Sequence, residues 1–154
     1  VIALTKVFEQ SGDDSYAHQA YELASTAAKL TPEYDSYQAA KAFSLAGKIA
    51  QLLYKKKSSI EWAKRWYLAR EKSAQLWEHE DSNEKKRAYS DYASAGKAAK
   101  VLYEGTKEKE WIEKWRDYCR KAADLAEGYD DEHVKYNLRG VSEAEEVIRT
   151  ITTV

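Results

Sequence analysis

The chain has 154 residues, of which 44% are hydrophobic and 33% charged, with a formal net charge of −1. That length fits one domain with a core of its own, while 6 glycines and 1 proline are too few for the many turns of an all-β protein. A single cysteine, Cys119, excludes an internal disulfide framework, and no stretch reaches the roughly 18 apolar residues of a membrane span. The chain opens on Val1 rather than Met, as a trimmed chain, a piece of a larger protein or the product of an alternative start would, and no charged-then-apolar leader begins it. A soluble, cytoplasmic protein is the expectation.

Apolar residues recur at helical spacing through almost the whole length, and no comparable period-2 alternation occurs. The boundaries between the runs predict about seven helices, over 2–10, 15–30, 34–56, 60–79, 83–104, 108–127 and 131–151. Ser11-Gly12-Asp13-Asp14-Ser15 is a loop ending in N-cap residues. Thr31-Pro32-Glu33 stops one helix and opens the next, proline being suited to a first turn. Ser58-Ser59 caps the helix that follows, and Asp81-Ser82 opens another. Gly105-Thr106 reads as a glycine stop followed by a cap, and Gly128 ends a helix before Asp130-Asp131. Such short connections make sequence neighbours antiparallel.

An internal repeat runs through these helices. Ala46-Gly47-Lys48 returns 49 residues later as Ala95-Gly96-Lys97. At the same offset Leu53-Tyr54 becomes Leu102-Tyr103, Glu61-Trp62 becomes Glu110-Trp111, and Trp66 becomes Trp115. Amphipathic helices match by chance in apolar class, but they rarely keep Ala-Gly-Lys and Glu-Trp-x-x-x-Trp in one gapless register. A period in this range marks a helical array, because one hairpin cannot bury its apolar stripe alone and neighbours stack to share a core.

The spacing Ala20, Ala24, Ala27, then Leu30 and Pro32, is similar to the second helix of a tetratricopeptide repeat and its closing proline. Gly47 and Gly96, each after an alanine, resemble the small position where the paired helices approach. The chain thus resembles the tetratricopeptide-repeat-like superfamily in a long-helix variant, including its adaptor-type solenoids. It departs from the standard pattern in its 49-residue unit, in Glu145 at the final position matching the glycines, and in lacking a second proline. The resemblance implies an all-α fold of antiparallel hairpins stacked as a short α-solenoid. It implies one domain over 1–154, with units of about 1–33, 34–80 and 83–128 and a capping helix over 131–151.

Several residues invite a choice between chemistry and packing. Glycine inside a helix costs roughly 0.5–1 kcal/mol relative to alanine, so Gly47 and Gly96 at equivalent positions predict close helix approach. Trp62/Trp66 and Trp111/Trp115 are i, i+4 pairs that continue the apolar stripes and are expected in the core. Trp77 has Ala126 as its repeat counterpart and is the aromatic expected to be exposed. Cys119 lies on an apolar stripe and reads as an inert core thiol. His18, His79 and His133 lie in separate units, and the acidic residues beside His79 and His133 suit helix N-termini better than a metal. No phosphate-cradling loop or nucleophile elbow occurs, so neither a cofactor, a metal nor a catalytic residue is expected.

Charge is segregated along the chain. Residues 41–121 hold 20 Lys and Arg against 12 Asp and Glu, a surplus of +8, while residues 1–40 and 122–154 carry −4 and −5. Nucleic acid is a poor partner for a chain with acidic ends and a pI near 6.4. Lys41, Lys48 and Lys55 stand seven apart on one helix face, and the repeat adds Lys97 with Lys100 one turn on. In the resembled fold the first helix of each pair lines a groove, which makes these five lysines a candidate site for an acidic peptide or a partner protein. A solvated lysine face is the competing reading. The function expected is a non-catalytic protein–protein interaction scaffold. The alternatives are a self-assembling helical subunit, hence a homo-oligomer, and a small-molecule-binding bundle.

Overall fold

Stripes of small and aromatic residues at three- and four-residue intervals let each helix bury one face, and the chain places those faces in series. A computed structural model of the protein describes residues 14–30, 35–78 and 84–152. Six α-helices lie among them: α1 Asp14–Leu30, α2 Ser36–Lys57, α3 Ile60–Glu78, α4 Lys85–Thr106, α5 Lys109–Ala126 and α6 Asp131–Thr152. The helix expected over 2–10, the loop around Gly12, Pro32 and His79 fall outside the described residues. Each helix packs chiefly against its neighbours in sequence, giving antiparallel hairpins stacked as an all-α array.

The 49-residue register is structural as well as sequential. Shifted by 49, the bounds of α2 fall on those of α4, from Ser36 and Lys57 to Lys85 and Thr106. Both helices end on a residue in the left-handed region, Ser58 at φ 51° and Lys107 at φ 62°. In each the cap N–H donates 2.7 Å to a tyrosine carbonyl four residues back, Tyr54 O and Tyr103 O. A left-handed residue with this bond satisfies an orphan carbonyl and turns the chain sharply out of the helix. The sequence reading of Ser58 as part of an N-cap is corrected accordingly: it closes α2.

Other ends follow ordinary capping chemistry. Asp35 Oδ1 accepts from Gln38 N at 3.3 Å, and Asp130 Oδ1 accepts from His133 N at 3.1 Å. Gly128, at φ 84°, follows α5. Gly105 does not act as a stop, since α4 continues to Thr106. A Cβ there would stand 2.3 Å from Cδ1, the terminal atom of the Ile60 side chain.

The core joins Ile49, Leu53, Trp62, Trp66, Leu102, Ile112 and Trp115 with a large population of alanines. All four paired tryptophans are buried, as their spacing requires. Trp77 is buried too, at 2% exposure, contrary to the sequence expectation. It packs on Ala40 and Ala88 with Tyr37 edge-on at 5.1 Å, and Arg87 lies 4.9 Å above its ring. Its small repeat counterpart, Ala126, occupies a part of the array with different neighbours, so the mismatch carries no information about exposure.

Candidate functional site

Two repeat-related grooves lie between neighbouring helices, one at α3 and one at α5. The first, of about 250 Å³, is lined from α2, α3 and α4; the second, of about 390 Å³, from α4, α5 and α6. Ser44, Lys48, Arg70 and Arg87 in the first correspond, 49 residues on, to Ala93, Lys97, Cys119 and Tyr136 in the second.

The first groove is closed at its base by a polar lock. A Cβ on Gly47 would lie 2.8 Å from Arg70 Cγ, so the glycine lets the arginine stem cross α2. Arg70 Nη1 donates to Asp91 Oδ1 at 2.6 Å and to Ser44 Oγ at 2.8 Å. The Ser73 hydroxyl sits between Asp91 Oδ2 and Ala40 O, and Ser44 Oγ lies 3.2 Å from Asp91 Oδ1. Asp91 is 2% exposed, and a buried carboxylate is tolerated only with such partners. The lock thereby ties α2, α3 and α4 together.

The second groove has lost every polar member of that lock. Ser44, Arg70, Ser73 and Asp91 are replaced by Ala93, Cys119, Ala122 and Gly140. Cys119 is wedged between two glycines: added Cβ atoms at Gly96 and Gly140 would lie 3.2 and 2.9 Å from its Sγ. Burial first, then the charge of Glu143, pushes its thiol up to about 11, which leaves it protonated and unreactive near neutrality. Exchanging a long arginine and an aspartate for cysteine and glycine leaves an open space, walled by Trp115, Val101 and Tyr136.

The predicted lysines divide between the grooves. Lys41 and Lys48 line the first, and Lys97 and Lys100 line the second. Lys55 is exposed in the last turn of α2 and lines neither. Lys100 is engaged by Glu143 at 3.6 Å and lies 5.2 Å over the Trp115 ring, and Lys41 lies 5.6 Å over Tyr37. Lys48 and Lys97 are exposed and have no carboxylate partner among the described residues. Arg139 of α6 joins Lys97 at the second groove. Sequence reading missed Arg139, Asn137 and the Arg70–Asp91 pair. Asp91 did leave a signal, since it interrupts the apolar stripe of Ala88, Tyr92 and Ala95.

A second polar cluster joins α3 to α5. Tyr67 and Tyr118 both donate to Glu71, the former at 2.6 Å, with their rings stacked at 5.9 Å. Burial and the Glu71 hydrogen bond push the Tyr118 phenol up to about 12 and the Tyr67 phenol higher still. Nearby, Tyr92 donates to Glu78, which Lys121 meets at 2.9 Å. These groups satisfy one another and fasten α3, α4 and α5 together.

No family model matches the chain, and no curated protein matches it. Among solved structures it is similar to a chain described as a DHF119 filament, at 20% identity, covering 98% of this chain and 79% of that one, with a TM-score of 0.41. A likeness at that score carries no argument about fold or assembly. Among the described residues, no helix is long and apolar enough to cross a membrane.

Proposed function

We propose that the chain is a non-catalytic helical-hairpin scaffold of the tetratricopeptide-like kind, binding an acidic partner along the face that carries the two grooves. The observation that carries this reading is the pair Lys48 and Lys97. They occupy the same repeat position, stand at the two grooves, and lack a carboxylate partner among the described residues. Lys41 and Arg139 extend the same basic face, whereas Lys55 and Lys100 are secondary to it. Exposed, unneutralised cations at a regular interval suit a carboxylate-bearing peptide better than they suit fold stability, to which surface charges contribute little.

Charge reversal tests the reading. Lys48→Glu with Lys97→Glu is expected to abolish capture of partners from native lysate, and of a fluorescent Glu-rich peptide, with the helical CD spectrum unchanged. Retained capture of the peptide by the double variant sinks the proposal.

Self-assembly is a second reading, favoured by a separate observation. Tyr16, Leu23 and Leu30 stand seven apart on α1, with Leu23 50% and Leu30 77% exposed, and Leu138 and Ile151 are exposed on α6. Apolar residues at both ends of a helical array suit stacking between copies. Light scattering across a concentration series separates the two readings, since a strict monomer excludes assembly.

A further inference from the structure

We infer that the second groove is a binding site for a small aromatic carboxylate that also carries a hydroxyl group. The inference shares Lys97 and Arg139 with the scaffold reading but differs in its occupant, because it concerns the recess between α4, α5 and α6 rather than an extended face. Three observations define the ligand. The space, about 390 Å³, is of the size that takes a small molecule. It exists because Cys119 and Gly140 stand where the first groove holds Arg70 and Asp91. Its walls are the Trp115 ring, Val101 and Tyr136, which suit a flat apolar body.

Charge at the rim sets the second requirement. Lys100 is neutralised by Glu143, and Lys97 and Arg139 are left against Glu104 alone, a local surplus of positive charge. A single carboxylate on the ligand would meet it.

The third requirement comes from Asn137, which lines the groove at 1% exposure. Its Nδ2 donates to His133 O at 2.9 Å, but its Oδ1 is buried without a hydrogen-bond partner. A buried amide oxygen left unsatisfied is costly, and such groups in folded proteins normally have a partner. A ligand hydroxyl would supply the missing donor. Arg70 Nε, Trp111 Nε1 and His133 Nε2 are buried without a partner among the described residues too, but of these four residues Asn137 alone lines this groove.

The probe is 4-hydroxyphenylacetate, titrated by calorimetry. Saturable one-to-one binding is expected. Phenylacetate, lacking the donor, and 4-hydroxyphenethyl alcohol, lacking the charge, should each bind about 3–10-fold more weakly or worse. Lys97→Glu with Arg139→Glu, both surface changes, should weaken the acid at least about tenfold and leave the alcohol unaffected. Ala93→Phe, which fills the groove from α4, should abolish binding of all three. If Ala93→Phe does not fold, the charge-reversed pair decides alone. Absence of saturable binding by all three probes overturns the inference. So does equal binding by the charge-reversed variant.

Discussion

The two halves of the duplicated unit share helices, register and caps, yet hold their seams together in opposite ways. Around Arg70 the seam is polar and closed, with four side chains and a carbonyl oxygen hydrogen-bonded to one another beneath the first groove and Arg70 Nε left without a partner among the described residues. Around Cys119 it is apolar and open, and two glycines bring backbone up to a single sulfur. A duplicated hairpin thus has two solutions to one packing problem. The first spends its space on rigidity, and the second leaves space for another molecule. Both charges are absent from the second seam, where an arginine without its aspartate, or an aspartate without its arginine, would be a stranded charge.

Breaking the lock is the most severe test of that contrast. Asp91→Ala leaves Arg70 half-buried without its carboxylate and is expected to lower stability by about 3–5 kcal/mol, or roughly 10 °C in melting temperature. Removing both partners, as Arg70→Cys with Asp91→Ala, should cost less than Asp91→Ala alone, because nothing charged is left stranded. Urea denaturation of the three proteins measures the difference. A double variant worse than the single one would show that the lock acts through shape and not through charge.

A smaller effect compares the glycines. At Gly47 a methyl group would meet Arg70 Cγ and Cδ at 2.8 and 2.9 Å, and Arg70 is pinned by Asp91. At Gly96 the nearest atom is Cys119 Sγ, at 3.2 Å. Gly47→Ala should therefore destabilise by about 1–2 kcal/mol, whereas Gly96→Ala should be near neutral as helix propensity offsets the crowding. Equal urea midpoints for the two variants would remove this distinction between the seams.

The gentlest probe is pH, acting on the tyrosine cluster between α3 and α5. The Tyr118 phenol titrates near 10.0 when unperturbed and is pushed up to about 12 here. Folding therefore favours its protonated form. That contribution is fully present below about pH 10 and is lost as pH rises toward 12, because the unfolded chain ionises first. Unfolding midpoints at pH 8, 10 and 11.5 should show the decline, and Tyr118→Phe should make it shallower. A parallel decline in the variant would place its origin in other groups.

The helices, their order and the duplication were legible because apolar periodicity and a gapless 49-residue match are properties of a line of letters. The burial of Trp62, Trp66, Trp111 and Trp115 followed from the same stripes. The seams were not legible, for a physical reason. Arg70 and Asp91 lie 21 positions apart on different helices, and each alone reads as an ordinary surface charge. Gly105 looked like a helix stop because its neighbour in space, Ile60, sits on another helix. Trp77 was misjudged because its cover comes from Tyr37, Ala88 and Arg87, none of them near it in sequence. Of the candidate lysines, helical spacing found the four that line the grooves, but it could not tell that Lys100 is engaged by Glu143 or that Lys55 lies beyond either groove.

Ser58 and Lys107 adopt the same left-handed cap although neither is glycine and the two side chains have nothing in common. What the duplication preserved there is an angle. Each hairpin leaves its long helix through a left-handed elbow, at φ 51° and ψ 36° for Ser58 and φ 62° and ψ 16° for Lys107, closed by the same backbone hydrogen bond. The walls differ, one a clasp and the other a recess, while this exit from the long helix is kept.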